Sequence, residues 1–235
     1  MIREAIVLAG GFGTRLREAV PDLPKCMAPI NGLPFIHYLL QQYISEGIEH
    51  FIMSLGYRAD VIKEYCSTHF PQVDFTYMVE DEPLGTGGAI AWCCSSAKSE
   101  HVIVLNGDTF YTIDLASFSG FHQNSGAECT LALKPMKDFD RYGVVELDEK
   151  GMIRSFFEKR YYKEGLINGG IYAIHVPSFL KHSFPKRFSF EKDYLERFCN
   201  EGIIHGSVQD GYFIDIGIPS DYKKAQHELP LQIEK

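Results

Sequence analysis

The sequence predicts an α/β fold: one mixed sheet flanked by helices, parallel in its first half and more antiparallel in its second. Three observations carry that reading. Apolar runs of strand length alternate with helical patterns over the first hundred residues. Three later runs follow one another over short links, and several runs end at glycine, where a doubly wound sheet places its ligand-facing turns. Ala5-Ile6-Val7-Leu8 opens the series and breaks at Gly10-Gly11. Phe51-Ile52-Met53-Ser54-Leu55 precedes the helical stretch 60–65, and a strand over 75–79 precedes a helix that begins near Gly88. Val102-Ile103-Val104-Leu105 closes this βαβ series. Thr130-Leu131-Ala132-Leu133, Gly143-Val144-Val145-Glu146-Leu147 and Met152-Ile153-Arg154-Ser155-Phe156 then form the antiparallel part, and Phe213-Ile214-Asp215 is a last short strand. With 235 residues, 45% of them apolar, one domain over 1–235 has a sizeable core, and no repeat or linker divides it.

Composition excludes several function classes. A formal net charge of −8 argues against a nucleic-acid groove or an anionic membrane surface, since both call for a basic stripe. No apolar run approaches the ~20 residues of a membrane span. Met1-Ile2-Arg3-Glu4 leads into the first strand without a signal-peptide core, so a cytoplasmic location is expected. Cys26, Cys66, Cys93, Cys94, Cys129 and Cys199 show no C-x-x-C spacing. In a cytoplasmic chain they read as small buried hydrophobes rather than a metal cage or disulfides. Helix-rich surfaces in the second half are compatible with pairing of two copies into a homo-oligomer, which the sequence leaves open.

The first strand ends in Gly10-Gly11-Phe12-Gly13-Thr14-Arg15, and Pro24-Lys25 follows. Glycines at a strand end leave backbone N–H groups unpaired and free of side-chain bulk, so several can point at one anion. Arg15 suits bidentate contact with phosphate oxygens, and Lys25 supplies a mobile point charge. Such a turn also serves simply to let a helix pack closely. The spacing excludes a P-loop, because Gly13-Thr14-Arg15 stands where Gly-Lys-Ser/Thr is required. It also excludes the Rossmann fingerprint, because Leu16 stands where the third glycine belongs.

The loop resembles the signature G-G-x-G-x-R-L followed by P-K-P of the nucleotidyltransferases that make nucleotide sugars from an NTP and a sugar 1-phosphate. The matching residues are Gly10-Gly11-Phe12-Gly13-Thr14-Arg15-Leu16 and Pro24-Lys25, with Cys26 in place of the second proline and Arg17-Glu18-Ala19 where many members have Pro-Leu-Thr. The resemblance implies a Rossmann-like sheet of the nucleotide-diphospho-sugar transferase type, its nucleotide half N-terminal and its sugar half C-terminal. Leu8, Ala9, Gly10, Gly11, Gly13 and Thr14 then belong to the nucleotide loop, and Arg15, Lys25 and Asp108 to the catalytic set.

Three further constellations extend this reading. Leu105-Asn106-Gly107-Asp108 and Phe213-Ile214-Asp215-Ile216-Gly217 are apolar runs that each end in Asp beside glycine. Such an Asp either caps a turn or holds Mg²⁺, which takes one or two carboxylates plus substrate phosphates and water. The resemblance pairs Asp108 with Asp215 on Mg²⁺ and places Gly107 at the nucleotide. Glu80-Asp81-Glu82-Pro83-Leu84-Gly85-Thr86-Gly87-Gly88 carries three acids that would repel a phosphate and therefore suit a base. A carboxylate accepts from N1–H and the exocyclic amine of guanine together, whereas uracil and thymine offer one imino donor. This favours GTP over another NTP, with Glu80 as base reader and Gly85 and Thr86 beside it; Glu80 or Glu82 could equally be a solvated loop charge. Finally, Tyr142-Gly143, Glu158-Lys159 and Asn168-Gly169 match elements that form the sugar 1-phosphate pocket in the resembled family. Glu158 and Asn168 suit sugar hydroxyls and Lys159 the phosphate. Arg160 stands where many members have proline and faces either the phosphate or solvent.

The segments 82–88, 105–110, 138–143 and 165–172 look most like the guanylyltransferases that act on D-glycero-α-D-manno-heptose 1-phosphate. That subgroup implies GDP-heptose for bacterial surface polysaccharide, with mannose 1-phosphate or a hexose 1-phosphate as the open alternatives. The implied mechanism is in-line attack of a sugar-phosphate oxygen on the α-phosphorus with departure of pyrophosphate. The nucleophile is already an anion, so catalysis consists of positioning and charge stabilisation. Arg15 is assigned to the leaving pyrophosphate, Lys25 to the α-phosphate region and Lys159 to the sugar phosphate. The rivals are a cytidylyltransferase for an acidic sugar, a glycosyltransferase with its metal on Asp138-Phe139-Asp140, and a catalytically silent nucleotide-binding module. Asp138 and Asp140 lie outside a strand end and beside Arg141, and retention of both Asp108 and Asp215 argues against the silent module.

Overall fold

The computed structural model describes residues 1–11 and 22–233. Its strands are β1 Glu4–Ala9, β2 Pro29–Ile30, β3 Leu33–Pro34, β4 His50–Leu55, β5 Asp74–Val79, β6 His101–Asn106, β7 Thr109–Tyr111, β8 Cys129–Phe139, β9 Val144–Leu147, β10 Ile153–Phe156, β11 Tyr162–His175, β12 Ile204–Val208 and β13 Phe213–Asp215. Its helices are α1 Phe35–Ser45, α2 Ala59–His69, α3 Gly85–Cys94, α4 Leu115–Ser125, α5 Val176–Phe179, α6 Pro219–Glu228 and α7 Pro230–Ile233.

The first half is the parallel βαβ arrangement that the alternation predicts. β1 lies between β4 and β6, parallel to both, and β5 extends the sheet beyond β4. The order therefore switches direction at β1, and the carboxyl ends of β1, β4, β5 and β6 share one rim. β1 is buried on both faces: Ala5 and Val7 enter one core, Ile6 the other, as a continuous apolar run in a parallel sheet requires.

β11 joins the two halves. One of its edges pairs antiparallel with β6 near its end and with β9 near its start, while the other edge carries β8, to which β12 is added in parallel. The register against β8 slips between Asn168 and Tyr172. Gly170 takes φ +74° there, where a Cβ would lie 2.6 Å from the Asn106 amide nitrogen, so a bulge aims this stretch at the rim. The Asn168 amide closes it, accepting from Gly170 N at 3.0 Å and donating to the Tyr172 hydroxyl at 3.0 Å.

Three local expectations need correction. α3 begins at Gly85 rather than near Gly88, because segment 186–188 packs against its first turn too closely for side chains. A Cβ on Gly87 would lie 2.2 Å from the Phe188 ring, and one on Gly88 2.4 Å from Lys186 O. β8 runs to Phe139, so Asp138 lies within a strand end rather than outside one. There it adopts φ +50° and accepts from the Tyr161 hydroxyl at 2.9 Å. α1 is an added element, its Phe35, Ile36, Leu39, Leu40 and Tyr43 buried at helical spacing. All six cysteines are free and buried, and burial pushes the Cys26, Cys66 and Cys93 thiols up to about 12, which makes them poor nucleophiles and ligands.

Candidate active site

The strand ends build one cleft of about 790 Å³, lined among the described residues by Leu8 to Gly11, Lys25, Glu80, Gly85, Thr86, Gly107, Asp108 and Asp215. Glycine is required where the ends converge. A Cβ on Gly107 would lie 2.6 Å from Leu8 O, and one on Gly56 2.8 Å from Gly10 O. Gly107 N instead donates to Leu8 O at 3.0 Å, tying the end of β6 to that of β1. Gly13, Thr14 and Arg15 lie outside the described residues.

Glu80 follows β5 and is held at both carboxylate oxygens. Oε1 accepts from Ser54 Oγ at 2.8 Å and Oε2 from Leu84 N at 3.0 Å. Each oxygen keeps a further lone pair, so the two bonds fix the direction in which Glu80 accepts. A Cβ on Gly10 would come within 3.3 Å of Oε1. Asp81 also lines the cleft, whereas Glu82 does not and belongs to a separate apolar cavity of about 330 Å³ beside Trp92 and Phe188.

Asp108 and Asp215 are brought together by a strand pair too short to read from sequence. β7 and β13 pair antiparallel with Thr109 opposite Asp215, and Ile216 N donates to Asp108 O at 3.1 Å. Lys25 projects from a 3₁₀ turn anchored by buried Cys26 and Met27. Its Nζ lies 2.5 Å from Asp108 Oδ2 and 3.6 Å from Asp215 Oδ1. Gly217 N donates to the same Asp215 oxygen at 2.7 Å. On the far side, Arg141 pairs with Asp221 and reaches Asp215 Oδ2 at 3.7 Å. Burial, and then the Asp108 charge, hold the Asp215 carboxyl above the usual carboxylate range against the pull of Lys25. Two carboxylates that face one another and already grip a cation are a fitting donor pair for Mg²⁺, whose remaining ligands are phosphate oxygens and water. Among the described residues no group of three or more His, Cys, Asp or Glu side chains is placed to hold a metal.

Of the six residues expected at the sugar phosphate, Tyr142 lies near this pair, and none of the six lines the cleft. A Cβ on Gly143 would lie 2.3 Å from Phe157 O, which sets Tyr142-Gly143 against Glu158-Lys159. The Tyr142 phenol is pushed up, first by burial and then by Asp215. Asn168 sits on the β11 bulge, and Gly169 is glycine because a Cβ there would lie 2.3 Å from the Tyr111 ring. The Glu158 and Lys159 side chains are exposed. The Arg160 guanidinium packs 5.1 Å from the Tyr162 ring.

Thr86 lines the cleft, but its hydroxyl donates to Glu191 Oε2 at 2.7 Å and accepts from Phe190 N at 2.9 Å. Sequence reasoning missed Glu191, Ser54 and the bracing role of Arg141. Glu191 and Ser54 stand in no motif, and Arg141 was visible only as a neighbour of Tyr142.

A nucleotidyl transferase family model matches residues 4–231. The chain belongs to the nucleotidyl transferase family. Within it, the chain is 45% identical over 226 residues to the D-glycero-alpha-D-manno-heptose 1-phosphate guanylyltransferase of Aneurinibacillus thermoaerophilus, covering 96% of this chain and 98% of that protein. The protein of the same name from Campylobacter jejuni is 44% identical over 93% of this chain and 96% of its own. Crystal structures of HddC from Yersinia pseudotuberculosis, one of them complexed with GMP-PN, superpose with TM-scores of 0.88 and 0.87 at 35% identity, covering 97% of this chain and 99% of that chain. The family and the α/β fold expected from the first loop are thus both established. No described helix is long and apolar enough to cross a membrane.

Proposed function

We propose that this chain is a guanylyltransferase that converts GTP and D-glycero-α-D-manno-heptose 1-phosphate to GDP-heptose and pyrophosphate. The observation that carries the reading is that one cleft joins the Glu80 carboxylate to the Lys25–Asp108–Asp215 cluster. The two relatives of matching length bear the corresponding name. Glu80, fixed by Ser54 and Leu84 N, accepts from guanine. A sugar-phosphate oxygen forms the new bond to the α-phosphorus while the bond to the bridging oxygen of pyrophosphate breaks. That oxygen is ionised at neutral pH, so the site needs no general base and acts by alignment and by stabilising charge. Asp108 and Asp215 would hold Mg²⁺, which when bound screens the phosphate charges. Lys25 attends the α-phosphate, Arg15 the pyrophosphate and Lys159 the sugar phosphate. The reaction places the protein with the soluble, cytoplasmic supply of GTP and upstream of surface polysaccharide.

The test is pyrophosphate release with Mg²⁺ for each of the four NTPs against the heptose phosphate and mannose 1-phosphate. Release with GTP and heptose phosphate alone supports the reading. Preference for another NTP removes Glu80 as a guanine reader, and preference for mannose 1-phosphate removes the heptose assignment.

A further inference from the structure

Glu191 is a carboxylate of the cleft to which the reaction assigns no part. It opens the π-helical turn Phe190–Glu196, in the C-terminal half of the chain, and lines the cleft with Gly85, Asn106 and Asp108. Its Oε2 accepts from Thr86 Oγ1 at 2.7 Å and from Ser189 Oγ at 2.9 Å, so the carboxylate is clamped from both halves of the molecule. The clamp is itself rigid. Gly87 N donates to Phe188 O at 3.1 Å, Phe188 N donates to Leu84 O at 3.1 Å, and Gly85 takes φ +72° with Phe188 O filling its Cβ position at 2.5 Å. Oε1 has neither a hydrogen-bond nor an ion-pair partner among the described residues. Its carboxylate also acts on the Tyr172 phenol, which burial pushes up first and which feels Asp108 as well. The Asn168 amide donates to that phenol, so Glu191 lies between Thr86 and the Tyr172–Asn168 pair of the β11 bulge.

A fixed anion beside a phosphate would repel it. An anion on the wall of a cleft, held by one oxygen and with the other unpartnered among the described residues, instead suits a neutral hydrogen-bond donor. We propose that Glu191 reads hydroxyls: Oε1 accepts from a ribose or pyranose hydroxyl of a bound substrate, and Thr86 is the residue that positions it. This rests on the guanylyltransferase reading for the identity of the substrates. Both sources of hydroxyl share one chemistry, and deoxy substrates separate them.

The experiment compares the wild type with Glu191→Gln, whose amide oxygen can keep the Thr86 and Ser189 bonds while its nitrogen faces the cleft. KM and kcat are measured for GTP, 2′-deoxy-GTP and 3′-deoxy-GTP, and for D-glycero-α-D-manno-heptose 1-phosphate and its deoxy analogues, with binding of each measured by calorimetry. Wild type should lose about ten- to a hundred-fold in affinity for the analogue lacking the hydroxyl, the range of a hydrogen bond to a charged group, and Glu191→Gln should show no such loss. Loss confined to deoxy-GTP assigns the ribose, and loss confined to a deoxy sugar assigns the pyranose. Equal penalties in wild type and variant for every analogue overturn the proposal. Thr86→Val, which keeps the charge but frees it, should reduce the same discrimination while its unfolding midpoint verifies the fold; unchanged discrimination overturns the positioning role. Binding of these substrates without turnover would sink the transferase reading and leave the Glu191 comparison intact.

Discussion

At the scale of single residues, Lys25 matters because it meets two carboxylates at once. Its turn is held by buried Cys26 and Met27, so the charge can be removed without disturbing the core. Lys25→Ala and Asp108→Asn should each lower kcat by about 10²–10³-fold, the range found when a preorganised electrostatic group is lost, with far-UV circular dichroism unchanged. Activity within a few-fold of wild type in either variant would remove that residue from the mechanism. These two residues were legible from sequence because their neighbours were: Pro24 before one, Asn106-Gly107 before the other. Their ion pair was not, because 83 residues separate Lys25 from Asp108 and nothing local brings the 3₁₀ turn to the end of β6.

At the scale of elements, the start of α3 is decided by packing rather than propensity. Alanine at position 87 would gain about 0.5–1 kcal/mol of helix propensity over glycine. Its Cβ would overlap the Phe188 ring at 2.2 Å, and overpacking costs about 1–3 kcal/mol. Gly87→Ala should therefore be destabilised in urea, and a stabilised variant would show that the aromatic segment moves freely. α4 carries a different liability. His122 is fully buried, bonded through Nδ1 to Thr130 Oγ1 at 2.8 Å and through Nε2 to His101 at 3.1 Å. Burial, and then His101, lower its pKa from 6.5 to about 3. Between those values the unfolded chain holds a proton that the native one does not, so stability falls as pH drops from 6.5 towards 3, by up to about 1.4 kcal/mol per pH unit. Urea midpoints across that window should fall less steeply in His122→Gln; parallel slopes would exclude His122 as the source.

At the scale of the whole molecule, the cleft draws on both halves through three bridges: Thr86 to Glu191, Lys25 to the Asp108–Asp215 pair, and the β11 bulge beside Asn106. A ligand that spans them binds only the folded chain and must stabilise all of it. GTP with Mg²⁺ at a hundred times its Kd should add about 2.7 kcal/mol, which for a chain of this size raises Tm by roughly 5–11 °C. EDTA should abolish turnover and that shift while leaving the Tm of the ligand-free protein in place. A Tm that ignores GTP at saturating concentration would contradict a nucleotide cleft built in this way.

The sequence by itself determined the parallel half of the sheet and the family, because both are written in short stretches. Alternating apolar runs fix strands and helices through local periodicity, and Gly10-Gly11 with Pro24-Lys25 forms a pattern that can be read without its distant partners. It also placed both carboxylates at strand ends, since each apolar run stops at Asp beside glycine. Only the tertiary structure decided which groups meet. Thr86 was expected at the nucleotide, yet its hydroxyl is given to Glu191, 105 residues away. A bulge redirects β11 after Asn168, and Gly143 lies against Phe157, neither of which any one stretch of sequence states. Contacts of that range depend on strand order, register and close approach of backbones, and these are properties of the packed sheet rather than of any window of sequence.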